Sequence, residues 1–143
     1  MAQHIIMNYT VSPSVDDLEV IASSVLENLP DELMSLCGNL KISIEDLADE
    51  ATEDDLDLVD PFDLLALYRS GREISPGVER KLSANDDTLV LYRRAILDMW
   101  CETGEDLNAI IRQVIIEELG RGFDLSEDEI VEIIERSMQN MQI

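Results

Sequence analysis

Apolar residues at helical spacing, together with residues that start and stop helices, predict five helices along the chain. The helical stretches are Leu18 to Leu29, Asp31 to Cys37, Ala95 to Trp100, Glu105 to Leu119 and Ile130 to Met138. Ser14 is expected to cap the first helix and Pro30 to end it. Ser126 and Glu129 have the spacing of a capping box, which predicts the start of the last helix.

Three shorter segments have the pattern of β-strands. Apolar and polar residues alternate over 40–44, and the segments 64–68 and 88–92 are short runs rich in residues that favour strands. No internal repeat and no clear domain boundary interrupts the chain. This order of elements predicts one α+β domain over residues 1–143 that is mostly helical.

Acidic residues dominate the charge of the chain. The 32 Asp and Glu residues against 10 Lys and Arg give a formal net charge of −22. Such a charge repels nucleic-acid phosphates and anionic membranes, so neither is an expected partner. It suits a basic protein or a peptide, although solubility alone also explains it. No apolar run approaches the roughly 20 residues that span a bilayer, so the protein is expected to be cytoplasmic.

Two local features have simple interpretations. Residues 45–63 contain ten acids and no base, and this segment is expected to be a flexible negative loop. Asp55 and Asp57 have part of the spacing of a calcium loop, but the glycine of such a loop is missing. Cys37 and Cys101 have apolar neighbours and are expected to be reduced thiols in or near the core.

The segment 114–129 carries the most specific chemical pattern. It reads VIIEELGRGFDLSEDE, which indicates the end of an apolar helix, a glycine-bearing turn and the start of another helix. The segment resembles the H-E-x-x-H-H-F-G motif, followed by acids, of small bacterial zincin-like metallopeptidases. By this resemblance Glu118 stands at the position of the general base. Glu117 and Arg121 stand at the positions of the two zinc-binding histidines.

The resemblance extends to neighbouring positions of the motif. Phe123 is retained, Gly122 stands where the family has a further His, and Asp124 stands where it has Gly. Glu127 matches a later acidic position that can supply a third metal ligand in the family. By this resemblance, Glu117, Arg121 and Glu127 stand at positions of family metal ligands. Of the three, only Glu127 keeps the acidic residue type that the family has at its position.

The substitutions remove the residues on which zinc chemistry depends. Two His at i and i+4 bind one Zn²⁺ from the same helix face, and the Glu between them activates a water molecule. Arg121 has no lone pair to donate to a metal. The only histidine of the chain is His4, so composition excludes a two-His centre, and neither a metal nor another cofactor is expected. Glu117 and Arg121 can instead form an ion pair, or the charges of this helix end are simply a solvated face.

Weaker similarities to the same family cover most of the chain. Leu29-Pro30 matches the end of a first helix, LLALYRSG over 64–71 matches one strand signature, and LVLYR over 89–93 matches a second. The resemblance implies a zincin-like α+β fold, with a small mixed sheet packed against several helices that include the motif helix.

Three hypotheses about function follow. The first is a zincin-like protein that has lost its zinc ligands and serves as an inactive binding or regulatory module. The second is a residual hydrolase that uses Glu118 as a metal-free base, or a hard cation held by Glu117, Glu118 and Glu127. The third is an acidic interaction protein for a basic partner, since the net charge is −22.

Overall fold

The computed structural model describes residues 12–37, 39–69 and 86–141, and over these residues it has the predicted α+β architecture. The helices are α1 (Val15–Glu27), α2 (Asp31–Cys37), α3 (Glu50–Leu56), α4 (Arg93–Thr103), α5 (Leu107–Gly122) and α6 (Glu127–Met141). The strands are β1 (Asn39–Glu45), β2 (Ala66–Arg69) and β3 (Asp86–Tyr92), and a 3-10 turn spans Pro61–Asp63. The one histidine, His4, lies outside the described residues.

The strands form a mixed sheet with β3 in the centre, in the order β1-β3-β2. β1 runs parallel to β3 and places Ile42 opposite Leu89. β2 runs antiparallel to β3 and places Tyr68 opposite the same Leu89. β2 is therefore an edge strand of the described sheet.

One face of the sheet contributes to the main hydrophobic core. Leu89 and Leu91 of β3 are fully buried, and they share a face because side chains alternate along a strand. The same core contains the apolar faces of three helices, which include Leu18, Ala22 and Val25 of α1, Ile111, Ile115 and Leu119 of α5, and Ile133 of α6. The predicted helical stripes thus meet one face of the sheet.

The acidic segment 45–63 was expected to be a flexible loop, and this prediction is wrong. The segment contains α3 and the 3-10 turn. The side chain of Asp49 accepts a hydrogen bond from the Thr52 N–H at 2.8 Å and caps α3. Acids in the first turn of a helix are favourable, so the charge of the segment does not prevent helix formation. Leu58 and Leu64 pack with Val90 and other residues on the second face of the sheet, which holds the segment in place.

Two further predictions are corrected. Cys101 is exposed rather than near the core, because α4 buries Ala95 and Ile96 and a residue five or six positions later lies on another side of the helix.

The predicted glycine-bearing turn begins later, since α5 continues through Gly120 to Gly122. A Cβ atom on Gly120 would lie 2.6 Å from Ile130 Cγ1, so this glycine allows α6 to approach α5 closely. None of the helices in the described ranges combines the length and the apolar character needed to cross a bilayer.

Candidate functional site

The last turns of α5 carry the motif residues beside the edge strand β2. Asp106 starts the helix, since its Oδ2 accepts a hydrogen bond from the Ala109 N–H at 3.1 Å. Ile111 and Ile115 are fully buried and anchor the helix in the core. Glu118 follows them at helical spacing on the same side, so its side chain turns inward as well.

Glu118 is held by one hydrogen bond to each carboxylate oxygen. The backbone N–H of Tyr68 in β2 donates to Oε2 at 3.0 Å. The guanidinium of Arg121, one turn later on α5, donates to Oε1 at 2.7 Å. The side chain of Glu118 is only 13% exposed, whereas that of Arg121 is 70% exposed. The carboxylate that the sequence resemblance places at the general-base position is therefore bonded on one side to a strand and on the other to a surface cation.

The surroundings change the acidity of Glu118. Burial raises the pKa of Glu118 above its ordinary value, and the Tyr68 N–H and the Arg121 charge oppose this rise without cancelling it. A raised pKa is a property of some catalytic acids and bases, but structural carboxylates share it when they are buried. The acidity alone does not distinguish the two roles.

The other predicted site residues have separate partners. Glu117 Oε2 accepts a hydrogen bond from Gln113 Nε2 at 3.2 Å. In the described part of the chain, Arg121 forms its ion pair with Glu118 and not with Glu117, so the pairing suggested by the i,i+4 spacing is corrected. Glu118 thus bonds both β2 and Arg121, whereas Glu117 bonds Gln113. Glu127 lies exposed at the first position of α6, beyond the turn that follows α5.

These residues do not fit a zinc ion. Arg121, which the sequence resemblance places at the second histidine position, has a positive charge and no lone pair to donate to a cation. One oxygen of Glu118 already accepts from that guanidinium. Within residues 12–37, 39–69 and 86–141, no group of three or more His, Cys, Asp or Glu side chains is arranged to hold a metal ion. Glu117, Glu118 and Glu127 accordingly do not form an oxygen-ligand cluster.

Tyr68 is the central residue of the site that the sequence did not single out. Its hydroxyl donates to Asp87 Oδ2 at 2.8 Å, and its ring meets the ring of Phe123 edge to face with centroids 5.1 Å apart. A Cβ atom on Gly122 would overlap with this ring. Gly122 therefore leaves the space that Tyr68 occupies. No local pattern could identify a backbone N–H as a partner of Glu118, since the two residues meet only in the folded chain.

A small mixed sheet with an edge strand beside the motif helix is the arrangement that the sequence resemblance implied, and it defines a zincin-like α+β protein. A profile described as zincin-like metallopeptidase matches residues 37–136, which include the sheet, the acidic segment and the whole of α5. The chain belongs to the zincin-like metallopeptidase family. A search of the curated proteins found no match for this chain.

Proposed function

We propose that this chain is a zincin-like family member that binds no catalytic zinc, cleaves no peptides and acts as a binding or regulatory module. The contact that carries the proposal is the bond of 2.7 Å between Arg121 and Glu118. It joins the residue at the second histidine position to the residue at the general-base position. The guanidinium offers no lone pair to a metal ion, and it occupies one oxygen of Glu118, so that oxygen is bonded to Arg121 instead of facing a metal-bound water.

Two further observations support the proposal. The second oxygen of Glu118 accepts from the Tyr68 N–H, so the carboxylate is oriented toward the sheet. Glu117, at the first histidine position, is bonded to Gln113 on the outside of the helix. The metal-dependent hydrolase alternative needs a cluster of carboxylates, and the described residues contain no group of three or more His, Cys, Asp or Glu side chains arranged to hold a metal ion. In the metal-free alternative, Glu118 would have to act as a base while its oxygens accept from Tyr68 and Arg121.

Peptidase assays with a matched variant test the loss of activity. The wild-type protein and the variant E117H/R121H are incubated with a library of quenched fluorescent peptides, with Zn²⁺ and with a chelator. We expect no cleavage by the wild type under either condition. The double variant shows whether the fold itself still accepts zinc when the two histidines are present, because it restores the i,i+4 ligand pair.

Cleavage by the wild type would overturn the proposal, provided that E118Q abolishes it. Dependence on added metal would then indicate a site rebuilt from carboxylates. Cleavage that persists in chelator would indicate Glu118 acting as a base without metal. These two outcomes correspond to the two forms of the hydrolase hypothesis.

The binding role has its own test, because the net charge of −22 favours a basic ligand. Two fluorescent peptides of equal length, one rich in Lys and Arg and one neutral, are titrated with the protein at several salt concentrations. We expect the basic peptide alone to bind, with an affinity that falls by about tenfold or more as the salt concentration rises from 50 to 200 mM. Equal binding of both peptides, or binding that ignores salt, would contradict a charge-selected partner.

A further inference from the structure

The backbone of β2 alternates between two directions. In an antiparallel pair, successive residues of an edge strand direct their N–H and C=O groups toward the partner strand and then away from it. The Tyr92 N–H donates to the Leu65 carbonyl, so the backbone N–H and C=O groups of Leu65 point toward β3. Those of Leu67, two residues later, point the same way. The backbone groups of Tyr68, one residue further on, point the other way, so its N–H points to the outer edge of the sheet.

An outward N–H on an edge strand is a point at which another strand can pair. In this protein the donor is taken, because Glu118 Oε2 accepts from the Tyr68 N–H at 3.0 Å. The carboxylate comes from α5, 50 positions further along the chain, and joins the helix to the strand. Its second oxygen is held by Arg121, so the acceptor is oriented from both sides.

Side-chain contacts hold the strand against the helix end at the same place. The Tyr68 ring lies over the space left by Gly122 and against Phe123. The Tyr68 hydroxyl is bonded to Asp87 on the neighbouring strand. Strand β2 is thus fastened through its backbone and through its side chain to the helix that carries Glu118.

We propose that Glu118 is a structural acceptor that caps the outward N–H of β2 and so closes this edge of the sheet to a further strand. The charge of Glu118 is not needed for this role, only an acceptor oxygen at the right distance. An extended peptide that pairs with β2 at Tyr68 would have to displace the carboxylate first. The inference does not depend on whether the chain binds zinc, since it concerns the contact between Glu118 and β2 alone.

Amide hydrogen exchange followed by NMR tests the inference at a single N–H. Glu118→Gln keeps an acceptor oxygen, whereas Glu118→Met has a similar length and no comparable acceptor. We expect the Tyr68 amide to exchange at a similar rate in E118Q and at least about tenfold faster in E118M, because a hydrogen bond of ordinary strength is lost. The amide of Leu67 faces β3 and serves as the reference within the same strand, and it should stay protected in both variants.

Two further variants keep the test decisive. Arg121→Met removes the surface cation and leaves the acceptor, so the Tyr68 amide should stay protected. Glu118→Asp retains the charge but withdraws the oxygens by one methylene, so the Tyr68 amide should exchange faster, as in E118M. If E118M loses the protection of Leu67 as well, E118D decides the result. An exchange rate of Tyr68 that is unchanged in E118D or E118M, with Leu67 protected, would overturn the inference.

Discussion

At the scale of single residues, the surroundings of one partly buried carboxylate, that of Glu118, determine the acidity and orientation of the central group of the site. Glu118 is 13% exposed and accepts from a backbone N–H and from Arg121. Burial raises its pKa nonetheless, so the ionised form is less favourable in the folded protein than in the unfolded chain. The contacts orient the carboxylate without fully offsetting the loss of hydration.

This raised pKa predicts how stability depends on pH. The folded state binds the proton more tightly than the unfolded state, so the contribution of Glu118 to stability falls as pH rises from the ordinary pKa of 4.5 to the raised folded value. Glu118→Gln removes the ionised form and keeps an acceptor. We expect E118Q to be more stable than the wild type at pH 7 to 8, and the difference to disappear below the ordinary pKa of Glu.

Urea unfolding of both proteins across the pH range measures the difference, and E117Q is the control because Glu117 lies on the outside of the helix. A difference between E118Q and the wild type that is constant with pH would contradict this account. So would a gain in E118Q that grows as the pH is lowered.

Gly122 provides a second prediction at the residue scale. Replacing Gly by Ala inside a helix usually stabilises it by up to about 1 kcal/mol. At position 122 the added methyl group would overlap with the Tyr68 ring, so we expect G122A to be destabilised by about 1–2 kcal/mol. Urea unfolding measures the loss. In a background with Tyr68→Ala the same substitution should cost nothing, and a cost that persists there would show that the ring is not its cause.

At the scale of elements, the acidic segment is the clearest departure from the sequence prediction. Asp49 caps α3, and its bond with Thr52 holds the pKa of Asp49 below its ordinary value. We expect Asp49→Ala to speed the amide exchange of Thr52 and Glu53, because the cap that orders the first turn is lost. Asp49→Asn keeps an acceptor and should change the exchange little. Rapid exchange of these amides in the wild type would contradict an ordered α3.

The other elements follow from the sequence to different degrees. The stripe of α1 and its Ser14 cap could be predicted, because periodicity and capping are local properties. The strand predicted at 64–68 begins two residues too early, because Leu64 and Leu65 lie before β2, which begins at Ala66. Strand ends depend on pairing with a distant strand, and no local pattern specifies that pairing.

The candidate site could be predicted in its location but not in its contacts. The motif pattern identified the end of α5, and Glu118, Glu117 and Arg121 all lie there. The spacing favoured a pair of Glu117 with Arg121, whereas the structure pairs Arg121 with Glu118. Both spacings allow an ion pair on a helix, so the spacing alone does not decide which acid Arg121 bonds.

At the scale of the whole molecule, the net charge of −22 is the dominant property. Charges of one sign repel one another more strongly in the compact state than in the expanded chain, so self-repulsion destabilises the fold. We expect the melting temperature to rise by a few degrees between about 10 and 200 mM NaCl, because salt screens this repulsion. A neutral osmolyte at matched osmolality is the control. A melting temperature that stays constant or falls over this range of salt would contradict the prediction.

The most direct test of the central claim is the zinc content of the protein, measured by elemental analysis and followed by titration with Zn²⁺ while the melting temperature is recorded. A metal that binds only the folded state must raise the melting temperature. We expect no stoichiometric zinc and no shift for the wild type, and a shift for E117H/R121H if the fold still accepts the metal. One equivalent of zinc in the wild type, lost in E118Q or Glu127→Gln, would contradict the account and identify a metal site rebuilt from carboxylates.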